Sequence, residues 1–278
     1  MTSKMLPNPK TCRVLTDEEF ANLRRLNPGV WSSPSRECIT CGKKGVIKVM
    51  DRSTGRIEEV ECACREQWKL HLWLLNAGIG ARYQRLGWAD ADGVSQSVKD
   101  QVMKWLAESD ERVRLGMGLT LWSPNRGTGK TLMANLMAKY LMASGHDTFV
   151  SIFTELLNRA QDGWRDKEAR IWFESRIQNS PVLVIDDIGR EHQGRMELVE
   201  SMLDPIVRWR VANERPTIIT TNFNPDEMKG RYGSNIISLL SEANTPIEVS
   251  GQDFRMTSFR EREVAEAVQG IVRPLTVL

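Results

Sequence analysis

Five residues, Gly127-Thr128-Gly129-Lys130-Thr131, stand between an apolar run, Gly118-Leu119-Thr120-Leu121-Trp122, and a helix-forming stretch that starts near Lys130, runs to Ser144 and closes at Gly145. Strand, glycine-rich loop and helix in that order constrain the fold more than any other feature of the chain. Glycines let a backbone turn its N–H groups inward around phosphate oxygens. A lysine at the head of the helix reaches the outer phosphates, and the hydroxyl after it suits a magnesium ion. Asn125, Arg126, Gly127, Thr128, Gly129, Lys130, Thr131 and Leu132 are therefore expected to bind ATP with Mg2+. A glycine-rich turn that only caps a helix would have no use for the Lys-Thr pair. Where such loops usually begin with glycine this chain has Pro124. Proline fixes φ at about −65° and has no N–H to donate, so the start of the loop is expected to differ.

Val182-Leu183-Val184-Ile185 leads into Asp186-Asp187. This places two carboxylates at the carboxyl end of a buried strand, where open α/β sheets bind ligands. Asp186 is assigned, with Thr131, to the magnesium ion. Asp187 is assigned to polarising the attacking water, because hydrolysis of a phosphoanhydride needs a positioned nucleophile. Many related enzymes use glutamate at that place, one methylene longer. A third β-branched run, Thr217-Ile218-Ile219-Thr220-Thr221, delivers Asn222, expected to sense the γ-phosphate and to hold the water with Asp187. The stretch Asn222-Phe223-Asn224-Pro225 reads as a turn.

The rest of the chain follows the same alternation. Val98, Val102, Trp105 and Leu106 recur at helical spacing, 147–153 reads as a strand, and 154–160 and 168–178 as helices. Residues 196–212 are expected to be helical despite Pro205. The fold class is α/β, a P-loop ATPase domain with a parallel sheet. Ahead of it, Cys38-x-x-Cys41 and Cys62-x-Cys64 put four thiols on two knuckles that can close tetrahedrally on Zn2+, flanking two short strands, 46–50 and 56–60. Four protein ligands leave no open position, so the zinc is expected to be structural. His71 could replace one cysteine, and Cys12 lies outside the pattern. A redox pair would require a thioredoxin-like βαβ context, which is absent from the pattern. The expected organisation is an N-terminal arm over 1–36, a zinc-ribbon domain over 37–76, the ATPase domain over 77–260 with 77–92 as its linker, and a tail over 261–278.

Charge decides little, because 38 basic residues against 36 acidic ones give +2, neither demanding nor excluding nucleic acid. Nowhere do about 18 apolar residues run together, so no membrane partner is expected. A polar N-terminus and clustered free cysteines point to a soluble protein of a reducing compartment, the cytoplasm.

Taken jointly, the cysteines, Ala77-Gly78-Ile79-Gly80-Ala81-Arg82-Tyr83, Val184-Ile185-Asp186-Asp187-Ile188-Gly189, the run from Pro216 to Asn222 and the run from Thr245 to Arg255 resemble the AAA+ helicase loaders of the DnaC and DnaI type, especially their phage-encoded members. The resemblance covers about residues 37 to 256. It implies a zinc-bearing domain that grips a hexameric replicative DNA helicase. It also implies an ATPase domain that binds ATP, single-stranded DNA and copies of itself in a ring or spiral, for DNA replication. In such families an arginine from a neighbouring subunit reaches the γ-phosphate from a Ser-Arg-Leu run. Here that run is Ser238-Leu239-Leu240, which leaves Arg231 and Arg255 as substitutes, Arg255 being assigned the catalytic role. A basic and aromatic stretch, Phe153, Arg159, Trp164, Arg165, Lys167 and Arg170, suits single-strand binding. The alternatives are a transposition-helper ATPase, which would prefer duplex DNA, and a zinc adaptor that binds nucleotide without hydrolysing it.

Overall fold

A computed structural model of the chain describes residues 46–50, 56–61, 63–189 and 196–251, with a few positions between 264 and 277. Chain contacts divide it into two units that part between Leu86 and Gly87, residues 273–276 going with the first.

In the first unit, β1 (Val46–Met50) pairs antiparallel with β2 (Ile57–Glu61), running from Val46 opposite Glu61 to Met50 opposite Ile57. Helix α1 (Ala63–Asn76) follows. The segment read as a linker continues here in turns, with Ala77, Ile79, Gln84 and Leu86 buried. Gln84 ties it down: its amide donates to the Ile79 carbonyl at 2.9 Å, and its Oε1 lies 2.9 Å from His71 Nδ1. Burial lowers the His71 pKa. Cys38, Cys41 and Cys62 lie outside the described residues, and Cys64 is on α1 with its side chain not among those described. Among the described residues no cluster of three metal-ligating side chains occurs.

The second unit opens with a 3-10 turn over Trp88–Ala91, followed by α2 (Gln96–Ala107) and α3 (Ser109–Arg114). Its centre is a five-stranded sheet in the order β4-β5-β6-β3-β7, all pairs parallel. The strands are β3 (Gly118–Trp122), β4 (Thr148–Ile152), β5 (Val182–Ile188), β6 (Thr217–Thr221) and β7 (Asn244–Glu248). Parallel strands need crossovers. These are supplied by α4 (Lys130–Ala143), by α5 (Phe153–Asp162) with α6 (Lys167–Phe173) and a π turn over Glu174–Gln178, by α7 (Met196–Ala212), and by α8 (Pro225–Tyr232) with α9 (Ser234–Ala243). β5 and β6 are almost wholly buried because helices cover both faces, which is why they read as unbroken apolar or β-branched runs. Pro205 lies on the exposed face of α7, so the carbonyl it leaves without a helical donor faces water and the helix continues.

β7 escapes periodicity reasoning. Only Asn244 and Ile247 of its five residues are buried, and it contains Pro246. It pairs with β3 alone, and an edge strand tolerates a proline because one side of it bonds to nothing.

The amino ends of β5 and β6 are joined by Arg210, which is 1% exposed. Its guanidinium donates to the carbonyls of Ile177, Gln178, Ser180 and Pro216 and to the Thr217 hydroxyl, all between 2.7 and 3.0 Å. It thereby satisfies the π-turn carbonyls that a regular helix end would leave open. Every one of these acceptors is neutral, and burial brings the Arg210 pKa down to about 9. Replacing Arg210 by Met would fill the volume but remove five hydrogen bonds, leaving the Pro216 carbonyl only its bond from the Leu183 N–H. The expected loss is on the order of 3 kcal/mol of stability, read as a fall of roughly 6–12 °C in the thermal unfolding midpoint.

Candidate nucleotide site

The loop after β3 has the backbone its glycines permit, with Gly127 at φ 78° and Gly129, which caps α4, at φ 93°. A β-carbon at either position would be strained. Lys130 folds back over the loop: its ammonium donates to the Asn125 carbonyl at 2.9 Å, the Ser123 carbonyl at 3.3 Å and the Thr128 hydroxyl at 3.5 Å. These bonds keep the lysine inside the cradle, on the side where phosphate oxygens would lie. Pro124, Asn125 and Arg126 are exposed at the rim.

Across from the loop, β5 departs from regular pairing. Ile185 faces Ile219 and Ile188 faces Thr221, so Asp186 and Asp187 together oppose Thr220 alone. Two residues against one is a β-bulge, which bends the strand and re-aims its side chains. Asp187 takes φ 65°, a left-handed conformation uncommon outside glycine. The Thr220 hydroxyl holds this bulge from both sides: it accepts the Asp187 N–H at 2.8 Å and donates to Asp186 Oδ1 at 2.6 Å. Thr221 continues the junction, donating to the Ile188 carbonyl at 2.9 Å and accepting the Phe223 N–H at 3.2 Å. The turn read at 222–225 starts α8, where Asn224 and Glu227 cap each other, side chain to backbone N–H, at 2.8 and 2.9 Å.

Asp186 is 7% exposed. Burial raises its pKa. Hydrogen bonds from the Thr220 and Thr131 hydroxyls and the charge of Lys130 pull it down, while Asp187 pushes it up. Lys130, Thr131, Asp186 and Asp187 are thus gathered around one space, with Asn222 one residue beyond the hydroxyls that lock the two strand ends. A buried carboxylate beside a threonine hydroxyl is a hard oxygen donor pair and fits Mg2+, which keeps its waters and takes few protein ligands. Such an ion would neutralise phosphate charge there.

Thr220 had no role in the sequence reading. Its only signal is a Thr-Thr pair before Asn222, which β propensity explains equally well. One expectation changes. Phe153 does not belong to a nucleic-acid surface: it is fully buried and packs edge-on against Tyr232, centroids 6.3 Å apart. Of the remaining stretch, Trp164 is 66% exposed, Arg165, Lys167 and Arg170 are exposed, and Arg159 stacks over Trp172 at 4.7 Å. The segment Ser238-Leu239-Leu240 lies on α9, where Leu240 is buried and Leu239 packs on the core. Arg255 lies outside the described residues.

Sheet order, phosphate loop and bulged acid pair define a parallel α/β domain of the P-loop nucleotide-binding kind. Residues 120–233 match the AAA family, the ATPase family associated with various cellular activities. More particularly, the AAA domain is homologous to the replicative helicase loaders. The chain is 24% identical to the replicative helicase loader DnaI of Bacillus subtilis over 156 residues, 55% of this chain and 48% of that protein. It is 25% identical to the replicative helicase loader DnaC of Escherichia coli K12 over 143 residues, 51% and 56% respectively. The alignments thus span about half the length of these relatives. In three dimensions it resembles the crystal structure of the DnaC helicase loader with TM-score 0.52 at 24% identity, covering 62% of this chain and 100% of that one. The DnaI crystal structure gives TM-score 0.51 at 21%, covering 62% and 94%.

The raised pKa of Asp186 has a sign. Below the ordinary carboxylate range the group is protonated in both folded and unfolded chains and costs nothing. Above its folded-state pKa, the folded chain carries a desolvated charge and is less stable for it. Asp186→Asn should therefore raise the unfolding midpoint of the nucleotide-free protein at neutral pH. The gain should vanish as pH falls to the ordinary aspartate range. Calorimetric titration should at the same time show Mg2+-dependent ATP affinity at least about tenfold weaker, a loss of about 1.4 kcal/mol.

Proposed function

We propose that this chain is an ATP-hydrolysing loader that places a hexameric replicative helicase on single-stranded DNA. The observation that carries the reading is the acid pair bulged over Thr220 opposite the Lys130 loop, in an AAA domain homologous to helicase loaders. In this proposal the loop from Asn125 to Leu132 binds the triphosphate, and Lys130 exchanges its carbonyl partners for phosphate oxygens. Thr131 and Asp186 hold Mg2+. Asp187, turned by the bulge, accepts the proton of the attacking water while Asn222 orients it. Arg255 serves across subunits in a ring or spiral.

Zinc at Cys38, Cys41, Cys62 and Cys64, in a small domain that grips the helicase, rests on their spacing. For DNA, the exposed part of the basic stretch, Trp164 with Arg165, Lys167 and Arg170, offers a ring on which a base can stack beside charges that pair with phosphates. Among the described residues no helix is long and apolar enough to cross a membrane. The inward-facing Leu239 and Leu240 favour a second reading, an adaptor that binds nucleotide without turning it over.

Native mass measurement of the full chain with candidate hexameric helicases, under ATP and under ADP, tests the loader. A nucleotide-dependent complex is expected, and no complex with any replicative helicase would sink the idea. ATP turnover with and without single-stranded DNA tests the enzyme: Lys130→Ala should abolish it, and equal negligible turnover in variant and wild type would leave the adaptor. Trp164→Ala should weaken single-strand binding by about 1–3 kcal/mol, read by fluorescence anisotropy, with turnover in the absence of DNA unchanged.

A further inference from the structure

Beyond the bulge, β5 is followed by Gly189, and a ring closes the gap to the end of β6. A β-carbon on Gly189 would lie 2.3 Å from Phe223 Cε2 and 2.6 Å from Cδ2, so the ring edge rests directly on the glycine backbone. Gly189 also takes φ 109°, which side chains disfavour. On Phe223 itself, the Arg231 guanidinium of α8 lies 5.1 Å from the ring centroid, and 5.8 Å from the ring of Tyr232. Tyr232 is fully buried against Phe153, so the stack is rooted in the core. An arginine that the sequence offers for action on a neighbouring subunit is engaged with its own chain.

The stack completes a series. Thr220 joins β6 to Asp186 and Asp187, Thr221 joins it to Ile188, and Phe223 joins it to Gly189. Asn222 is the intervening residue, its backbone fixed on both sides. We propose that Phe223, wedged between Gly189 and Arg231, is a positioning residue that sets Asn222 against Asp187 and so governs turnover without contributing to nucleotide affinity. The proposal rests on the ATPase reading of the site. A cation over a ring and a ring edge on a glycine are both sensitive to ring shape, so the aromatic ring itself is what position 223 requires.

The test uses the full chain as wild type, Phe223→Ala, Phe223→Tyr and Arg231→Met. In Phe223→Ala, kcat should fall at least about tenfold at saturating ATP while the Kd for a non-hydrolysable ATP analogue stays within about twofold. Phe223→Tyr should restore turnover, and Arg231→Met should fall between. A second readout needs no hydrolysis. The side-chain amide of Asn222, observed by nitrogen-15 NMR, should respond differently to the ATP analogue and to ADP in wild type and in Phe223→Tyr, and lose that difference in Phe223→Ala. If the wild-type amide responds and Phe223→Ala responds equally, or if kcat and nucleotide affinity fall together, the positioning role is overturned and the ATPase reading survives. A wild-type amide blind to the γ-phosphate overturns the positioning role, and negligible wild-type turnover overturns the ATPase reading on which it rests.

Discussion

One hydroxyl, that of Thr220, joins the strand bearing the acids to the strand bearing Asn222. It accepts from the Asp187 backbone and donates to the Asp186 carboxylate, using both halves of its hydrogen-bonding capacity on adjacent residues. This is possible only because the bulge places both aspartates opposite it. The bulge in turn forces Asp187 into a left-handed backbone that would cost of order 1–3 kcal/mol without such support. Valine, isosteric with threonine, would keep the packing and remove both bonds. The geometry of the acids is therefore a property of β6 as much as of β5.

Parallel strands put all their carboxyl ends on one edge, and the two edges of this sheet are held differently. At the amino edge, Arg210 pins the beginnings of β5 and β6 with bonds to neutral acceptors. At the carboxyl edge, the joints are hydroxyls, a glycine contact and a stacked ring. The first arrangement is buried and saturated. The second lies beside polar groups that still have ligands to meet: Lys130 lies on loop carbonyls, and Asp186 is a buried acid whose ionisation is opposed by its surroundings. Phosphate oxygens and a divalent cation would relieve both, since each supplies the opposite charge. The fold is thus anchored at the edge away from the candidate nucleotide site and less saturated at the edge that carries it.

Long-range order accounts for what local reading of the chain misses. β7 has two buried residues and a proline, yet it pairs along its length with β3 because β3 would otherwise expose an unpaired edge. Phe153 looks like part of a basic, aromatic surface when neighbours along the chain are counted, but it begins α5 on the face that meets Tyr232. Leu239 occupies the place of an expected arginine, and α9 turns it, with Leu240, onto the core.

The sequence alone determined the phosphate loop, the acidic strand end, the alternation of strands and helices and the resemblance to helicase loaders, because each depends on residues adjacent in the chain whose backbone needs are local. Glycines at 127 and 129, the lysine after them and a β-branched run before Asp186 carry their meaning wherever the chain folds. Only the tertiary structure decided that β6 stands beside β5 and β3, and with it the role of Thr220, the bulge at Asp186 and Asp187, and the seat of Phe223 on Gly189. Those depend on register between segments more than thirty residues apart, and register is set by packing of the whole sheet, which no short stretch of sequence contains.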